Sequence, residues 1–125
     1  EKAREARKDR RRAYRQAENA AQDVRDRIKR MEKDAGADWQ KARDALKEGK
    51  QAAAQRALTS YRAAQVLMTK LEQKRWVFEQ YLMKMETAGT DAEFATALAA
   101  VNKVTEINPE LVEDVFDTAG ELLGE

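Results

Sequence analysis

The chain has 125 residues, of which 38% are charged and only 6% are aromatic, and its formal net charge is +1. It contains no cysteine and no histidine, which excludes disulfides, thiol nucleophiles, Cys–His zinc sites and Ser–His–Asp triads. One proline and five glycines leave long stretches without a helix breaker, and strong helix formers dominate the composition. We therefore expect one all-α domain over residues 1–125, with no enzymatic activity, no cofactor and no metal.

The small net charge hides a strong division of charge along the chain. Residues 1–30 carry twelve basic and six acidic residues, whereas residues 86–125 carry ten acidic residues and one basic residue, Lys103. Such a division predicts either that the acidic end folds back on the basic part or that it docks on another copy. A solvated helical surface with uneven charge is the simpler alternative.

Residues 1–34 are predicted to form a basic helix. Small apolar residues recur there at steps of three, four or seven, as in a heptad seam: Ala3, Ala6, Ala13, Ala17, Ala20, Val24, Ile28, Met31 and Ala35. Residues 35–38 then carry a turn signal, because Gly36 suits the end of a helix and Asp38 can cap the next one. This pattern predicts a sharp helical hairpin.

Residues 39–87 are predicted to form one very long second helix, spanning roughly 70 Å at about 1.5 Å per residue. Gly49 weakens it by about 1 kcal/mol and is a candidate bend. A helix of that length in a small chain implies a hairpin, a coiled coil or a polymer. The expected core of the hairpin consists of Val24, Ile28, Met31, Trp39 and Leu46.

Two short helices are predicted to follow. Residues 88–90 break the long helix, and residues 91–105 form an amphipathic helix capped by Thr90 or Asp91. Asn108 and Pro109 then suit the N-cap and first position of an acidic helix over residues 109–123.

Membrane contact, if present, is expected to be peripheral. No apolar run approaches the length of a membrane span, and no secretory signal is visible. The chain begins at Glu1 without methionine, so we expect it to be a fragment.

Four segments resemble, in order, the ESCRT-III family, the charged multivesicular body proteins. Residues 42–51 (Ala-Arg-Asp-Ala-Leu-Lys-Glu-Gly-Lys-Gln) are similar to the start of its second core helix, where Ala-Lys/Arg-x-Ala-Leu precedes a Gly-Lys-Lys or Lys-Lys-Lys element. Residues 85–93 resemble its Met-Glu-x-Ala step and following Thr-Asp pair. Residues 97–100 resemble its fourth helix, and residues 111–117 (Leu-Val-Glu-Asp-Val-Phe-Asp) its acidic fifth helix. The first helix matches only in charge and helicity.

The resemblance implies a non-catalytic subunit that polymerises on anionic membranes and remodels or severs them. The basic face of the first helix would contact lipid through Lys2, Arg4, Arg7, Lys8, Arg10, Arg11, Arg12 and Arg15. The implied polymer interface comprises Phe94, Leu98, Glu110, Leu111, Glu113, Asp114, Val115, Phe116, Asp117 and Leu122. Further copies, other ESCRT-III subunits and, outside this fragment, an AAA ATPase would be the partners. The implied location is cytoplasmic, on endosomal or nuclear-envelope membranes.

Three other functions remain open at this point. A phage-shock-protein-A-like polymer for membrane maintenance belongs to the same superfamily, and a coiled-coil scaffold without membrane binding would also explain the heptads. Nucleic-acid binding is the third, since aromatic and basic residues lie close together in the sequence: Tyr61, Arg62, Lys74, Arg75, Trp76 and Tyr81. The acidic end of the chain argues against nucleic acid as a partner.

Overall fold

The computed structural model describes residues 1–124, and within them it contains four α-helices and no strand. Helices α1 (Lys2–Lys47) and α2 (Gln51–Thr87) form an antiparallel hairpin. Helix α3 (Asp91–Glu106) packs on both of them, and α4 (Val115–Leu123) packs on α2 and α3. The all-α prediction is confirmed, but α1 and α2 have 46 and 37 residues, so the second helix is not the very long one.

The hairpin turns at residues 48–50. Gly49 has a φ of +75°, a left-handed conformation that costs a glycine little because it has no Cβ. The N–H of Lys50 donates to the carbonyl of Ala45 at 2.8 Å, and the N–H of Gly49 donates to that of Leu46 at 3.1 Å. These two bonds form a Schellman motif, which satisfies the last carbonyls of α1 and reverses the chain.

The predicted turn at residues 35–38 is therefore wrong. Gly36 lies inside α1, and the carboxylate of Asp38 accepts a hydrogen bond from the hydroxyl of Ser60 at 2.8 Å instead of capping a helix. A turn at Gly49 lets two helices of comparable length cover each other along most of their seams, whereas a turn at Gly36 would leave much of the second helix unpaired. The free energy of that pairing exceeds the cost of about 1 kcal/mol for one helical glycine.

The main hydrophobic core lies in the half of the hairpin that is far from the turn, where all four helices meet. Its largest fully buried side chains are Leu71, Phe78, Met85, Val101, Val104 and Val115. Near the turn the two helices meet instead through small residues, chiefly Ala35, Ala42, Ala45 and Ala54. Alanine buries little apolar area, so the half that contains all four helices supplies most of the hydrophobic stabilisation.

The residues expected in the hairpin core divide into two groups. Val24 and Ile28 are buried, and Met31 is half-buried against the core. Trp39 and Leu46 are 47% and 59% exposed, which corrects their predicted placement. Alanines occupy the seam at that level, so the helices approach too closely to admit an indole between them. The Trp39 ring packs instead against the Tyr61 ring on the flank, with a centroid separation of 5.2 Å.

Helix α3 begins where the sequence predicted. The hydroxyl of Thr90 accepts the N–H of Glu93 at 3.1 Å, and the carboxylate of Glu93 accepts the N–H of Gly89 at 2.8 Å. This reciprocal capping satisfies two amide groups that the helix cannot pair by itself.

The start of the last helix was predicted wrongly. Helix α4 begins at Val115, and its N-cap is Asp114, whose carboxylate accepts the N–H of Phe116 at 2.8 Å. Asn108 does not cap a helix, since its side-chain oxygen accepts the N–H of Glu110 in a local turn at 3.0 Å. Asparagine serves both purposes equally well, and the nearby Asp114 provides the cap that the helix uses.

A pair of glycine substitutions tests the position of the turn. We expect Gly36→Ala to stabilise the protein by about 0.5–1 kcal/mol, because Gly36 is helical and an added Cβ meets nothing within 4 Å. We expect Gly49→Ala to destabilise it by about 1 kcal/mol, because alanine disfavours a positive φ. Urea unfolding followed by circular dichroism measures both. Destabilisation by Gly36→Ala together with stabilisation by Gly49→Ala would place the turn at Gly36.

Candidate functional site

A groove lies at the open end of the hairpin, which is the end opposite the turn. It has a volume of about 850 Å³ and lies between the start of α1 and the α2–α3 junction. We call it the basic groove, because six cationic side chains line it: Arg7, Lys8, Arg10, Arg11, Arg12 and Arg15. Tyr14, Met85, Glu86 and Phe94 complete its lining, so it contains one carboxylate.

The groove exists because α1 extends past the end of α2. Arg10 is level with Ala88, which follows the last residue of α2, so residues 2–9 of α1 project beyond that helix. All of these residues are exposed. The projecting turns therefore present their charges to solvent on one side and to the start of α3 on the other.

Arg10 holds the α2–α3 junction through three contacts. Its guanidinium donates to the carbonyl of Ala88 at 3.3 Å, lies 3.9 Å from the carboxylate of Asp91 and stacks 4.6 Å from the centre of the Phe94 ring. The Asp91 side chain is 90% exposed, so the ion pair contributes about 1 kcal/mol or less. The contact of Arg10 with the Phe94 ring contributes a similar amount, about 1 kcal/mol. We call these three contacts the Arg10 clamp.

Tyr14 ties α1 to the last turn of α2 one helical turn further along. Its hydroxyl donates to the carboxylate of Glu86 at 2.7 Å. This hydrogen bond, together with burial and the charges of Glu86 and Glu18, raises the pKa of Tyr14 from 10.0 to about 12. The bond also places the carboxylate of Glu86 at the wall of the basic groove.

The eight side chains predicted to contact lipid all lie in the first third of α1. Only Arg10 is partly buried; the others are exposed along the helix: Lys2, Arg4, Arg7, Lys8, Arg11, Arg12 and Arg15. Arg7 donates to the carbonyl of Ala3 at 3.3 Å, within the same helix. Within residues 1–124, none of these seven forms an ion pair, so their charges are not neutralised inside the chain.

The residues of the predicted polymer interface occupy several environments. Phe94 and Val115 are buried within the chain, and Asp114 caps α4. Leu98 is half-buried and packs against the core, while Glu110 pairs with Arg27 of α1. The remaining five are exposed at the surface: Leu111, Glu113, Phe116, Asp117 and Leu122. Phe94, Glu110, Asp114 and Val115 therefore already make contacts within the chain in this conformation.

Two contacts that the sequence did not suggest hold the end of α3 and the segment after it. Lys74 of α2 is 9% exposed, and its ammonium donates to the carbonyl of Ile107 at 2.7 Å and to that of Thr105 at 3.4 Å. Burial, and secondarily the charge of Arg27, lower the pKa of Lys74. Lysine near carbonyls that end a helix is a favourable pairing, but no local pattern links residue 74 to residues 105–107.

The aromatic and basic residues considered for nucleic-acid stacking do not share one surface. Tyr61 packs on Trp39, and Trp76 packs edge-on against Phe116 with a centroid separation of 5.6 Å. Tyr81 is buried, as is Lys74. Tyr61, Trp76 and Tyr81 therefore do not form one continuous row of exposed rings.

No helix within residues 1–124 is long and apolar enough to cross a membrane. The same residues contain no cluster of three or more acidic side chains arranged to hold a metal ion. Comparisons of the chain with protein-family models, with curated proteins and with solved structures found no match.

The Tyr14–Glu86 bond predicts a pH dependence of stability. A tyrosine whose pKa is higher in the folded state stabilises the fold fully below pH 10.0, and that contribution is lost as the pH rises towards about 12. Tyr14→Phe has no hydroxyl and therefore lacks this contribution. The difference in unfolding free energy between the wild type and this variant should shrink as the pH rises from 10.0 to about 12. Urea unfolding of both proteins measures it, and a constant difference would contradict the hydrogen bond.

The buried Lys74 should give stability the opposite dependence on pH. Because its pKa is lowered by folding, the unfolded chain binds more protons than the native chain just below pH 10.5, and stability rises with pH there. The unfolding free energy of the wild type should therefore increase relative to Lys74→Met as the pH approaches 10.5 from neutrality. A flat difference would mean that the Lys74 ammonium is solvated in the folded state.

Proposed function

We propose that this protein is an ESCRT-III-type subunit that polymerises on anionic membranes and remodels or severs them by assembly, without catalysing a reaction. The observation that carries the proposal is the projecting, unneutralised basic start of α1, set on a helical hairpin. The ordered resemblance of residues 85–117 to the later part of the ESCRT-III core supports it. Residues 42–51, which resemble the start of the second core helix, instead lie at the end of α1 and in the turn before α2. Within that family, the Gly49-Lys50 pair makes the chain most similar to the seventh charged multivesicular body protein.

The charge of the first turns of α1 suits a peripheral contact with anionic lipid. Residues 1–15 carry eight basic and three acidic residues. A basic side chain near an anionic membrane surface contributes about 1 kcal/mol, and the effect fades within about 10 Å at moderate ionic strength. A single subunit would bind reversibly, whereas an array of subunits would bind far more tightly through multivalency.

An apolar surface around α4 supplies a candidate contact between subunits. Leu111 is 82% exposed, and Phe116 and Leu122 are about half as exposed. Trp76, which is 53% exposed, lies against Phe116. Acidic side chains flank this surface at Glu113 and Asp117, so a basic hairpin of another copy would complement it in charge.

The closed arrangement of α3 and α4 agrees with a subunit that opens on assembly. In ESCRT-III proteins the second and third helices merge into one rod in the polymer, and the short fourth and fifth helices dock across the hairpins of other subunits. The resemblance therefore implies that α3 and α4 leave their own hairpin on assembly. The implied partners are other ESCRT-III subunits and an AAA ATPase that disassembles the polymer. The implied site of action is the cytoplasmic face of endosomal or nuclear-envelope membranes.

Reversal of charge in the basic groove tests the membrane contact. The variant Arg11→Glu/Arg12→Glu/Arg15→Glu should lose binding to anionic liposomes while keeping its helicity, because these arginines make no ion pair within residues 1–124. Sedimentation with anionic and neutral liposomes, followed by negative-stain electron microscopy, measures binding and assembly. Filaments or tubulated vesicles are expected for the wild type with anionic lipid only.

The matched control reverses three exposed charges near the turn, in the variant Lys41→Glu/Arg43→Glu/Arg56→Glu. It changes the net charge by the same amount, so it should retain binding if position rather than total charge decides. An equal loss of liposome binding in both variants would mean that binding depends on net charge alone. If the wild-type protein does not bind either kind of liposome and stays monomeric or dimeric, the coiled-coil scaffold is favoured.

A further inference from the structure

We propose that the basic groove is a binding site for phosphate groups, and that a bound phosphate competes for Arg10 and so releases the start of α3. The inference rests on the proposed function, since it names the ligand of the same basic surface and links its binding to the opening of the subunit. It adds a specific switch. Arg10 closes the α2–α3 junction in the free protein, and the same side chain also binds the ligand.

The groove contains more cationic side chains than the fold pairs with acidic ones. Six cationic side chains face a space of about 850 Å³ that contains a single carboxylate, Glu86. That carboxylate already accepts a hydrogen bond from Tyr14, so part of its charge is engaged. Five of the six cations make no ion pair within residues 1–124, and only Arg10 does. The arrangement favours a ligand with several negative charges.

Among ligands with several negative charges, phosphate groups match guanidinium groups best. Five of the six cationic side chains are arginines, and each presents planar donors that match two oxygens of a phosphate. Arg7, Arg11 and Arg15 recur at intervals of four, so they form one row along α1 beside the junction. A phosphate group on that row would lie beside Arg10, one residue from Arg11.

Arg10 is a weakly held member of this set. Its partners at the junction are one backbone carbonyl at 3.3 Å, one carboxylate at 3.9 Å that is exposed to solvent, and the face of the Phe94 ring. None of them is a short charge-assisted hydrogen bond. A phosphate that is also held by neighbouring arginines offers Arg10 a stronger partner, so binding would draw it away from Ala88 and Asp91.

The release would be confined to the first turns of α3. Its last turns are held by other means, since Val101 and Val104 are buried in the core and Lys74 binds the carbonyls of Thr105 and Ile107. Phosphate binding should therefore loosen residues 90–96 and leave residues 101–107 protected. This gradient along one helix distinguishes the switch from general unfolding.

The first experiment combines binding with hydrogen exchange on the full chain. Tripolyphosphate serves as the soluble probe, and vesicles with and without a phosphatidylinositol bisphosphate in phosphatidylcholine serve as the membrane probe. Isothermal titration calorimetry gives the affinity for tripolyphosphate, and mass spectrometry gives amide exchange for residues 90–96 and 101–107. We expect binding to raise exchange several-fold in the first segment only.

Three variants separate the ligand site from the clamp. Arg11→Gln/Arg15→Gln should weaken tripolyphosphate binding about tenfold, the loss expected from removing charge-assisted contacts, and leave exchange without ligand unchanged. Arg10→Gln should raise exchange in residues 90–96 without ligand, and tripolyphosphate should raise it little further. Arg43→Gln/Arg56→Gln, near the turn, is the matched control and should behave as the wild type.

The outcomes also separate this inference from the proposed function. Binding of tripolyphosphate that leaves residues 90–96 unchanged, or equal affinity in Arg11→Gln/Arg15→Gln, would overturn the inference even if filaments form on membranes. Coupled binding and release with tripolyphosphate but not with vesicles would support the site with a soluble phosphate compound as its ligand, and would count against the membrane function. The same response to both probes would support both.

Discussion

The antiparallel pairing of α1 with α2 is the constraint on which the rest of the structure depends. The Schellman motif at Gly49 sets the register of that pairing, because it fixes which residues lie opposite each other along the two helices. Arg10 therefore lies beside Ala88, and Tyr14 reaches Glu86. A shift of the turn by a few residues would remove both contacts and close or displace the basic groove.

The hairpin is built differently along its length. Near the turn it is narrow and joined through alanines, whereas its other half carries the core in which α3 and α4 bury Val101, Val104 and Val115. Local stability follows buried apolar area, so the region with all four helices should open last and the junction at residues 88–90 more readily. A strong core beside a weakly held junction suits a subunit that changes conformation on binding.

The division of charge along the chain has a limited role within one molecule. The acidic part does fold back on the hairpin, but only two ion pairs join α1 to it, namely Arg10 with Asp91 and Arg27 with Glu110, within the described residues. Apolar packing and the buried Lys74 hold that part instead. Most of the basic charge of α1 and the acids of α4 remain available for other molecules, which is the arrangement that the proposed assembly needs.

The sequence by itself determined the features that depend on neighbouring residues. The all-α composition, the start of α3 at residue 91, and the seam through Val24 and Ile28 follow from helix propensity, capping and periodicity. The basic character of the candidate site was equally plain, because it is a property of consecutive side chains.

Only the tertiary structure decided which glycine turns the chain, since Gly36 and Gly49 carry similar local signals and the choice depends on how well two distant helices cover each other. The same pairing left Trp39 exposed and brought Arg10 to residues 88–94. It also placed Lys74 under the end of α3. Contacts of this kind join residues far apart in sequence, and their free energy arises from the packed arrangement rather than from any local pattern.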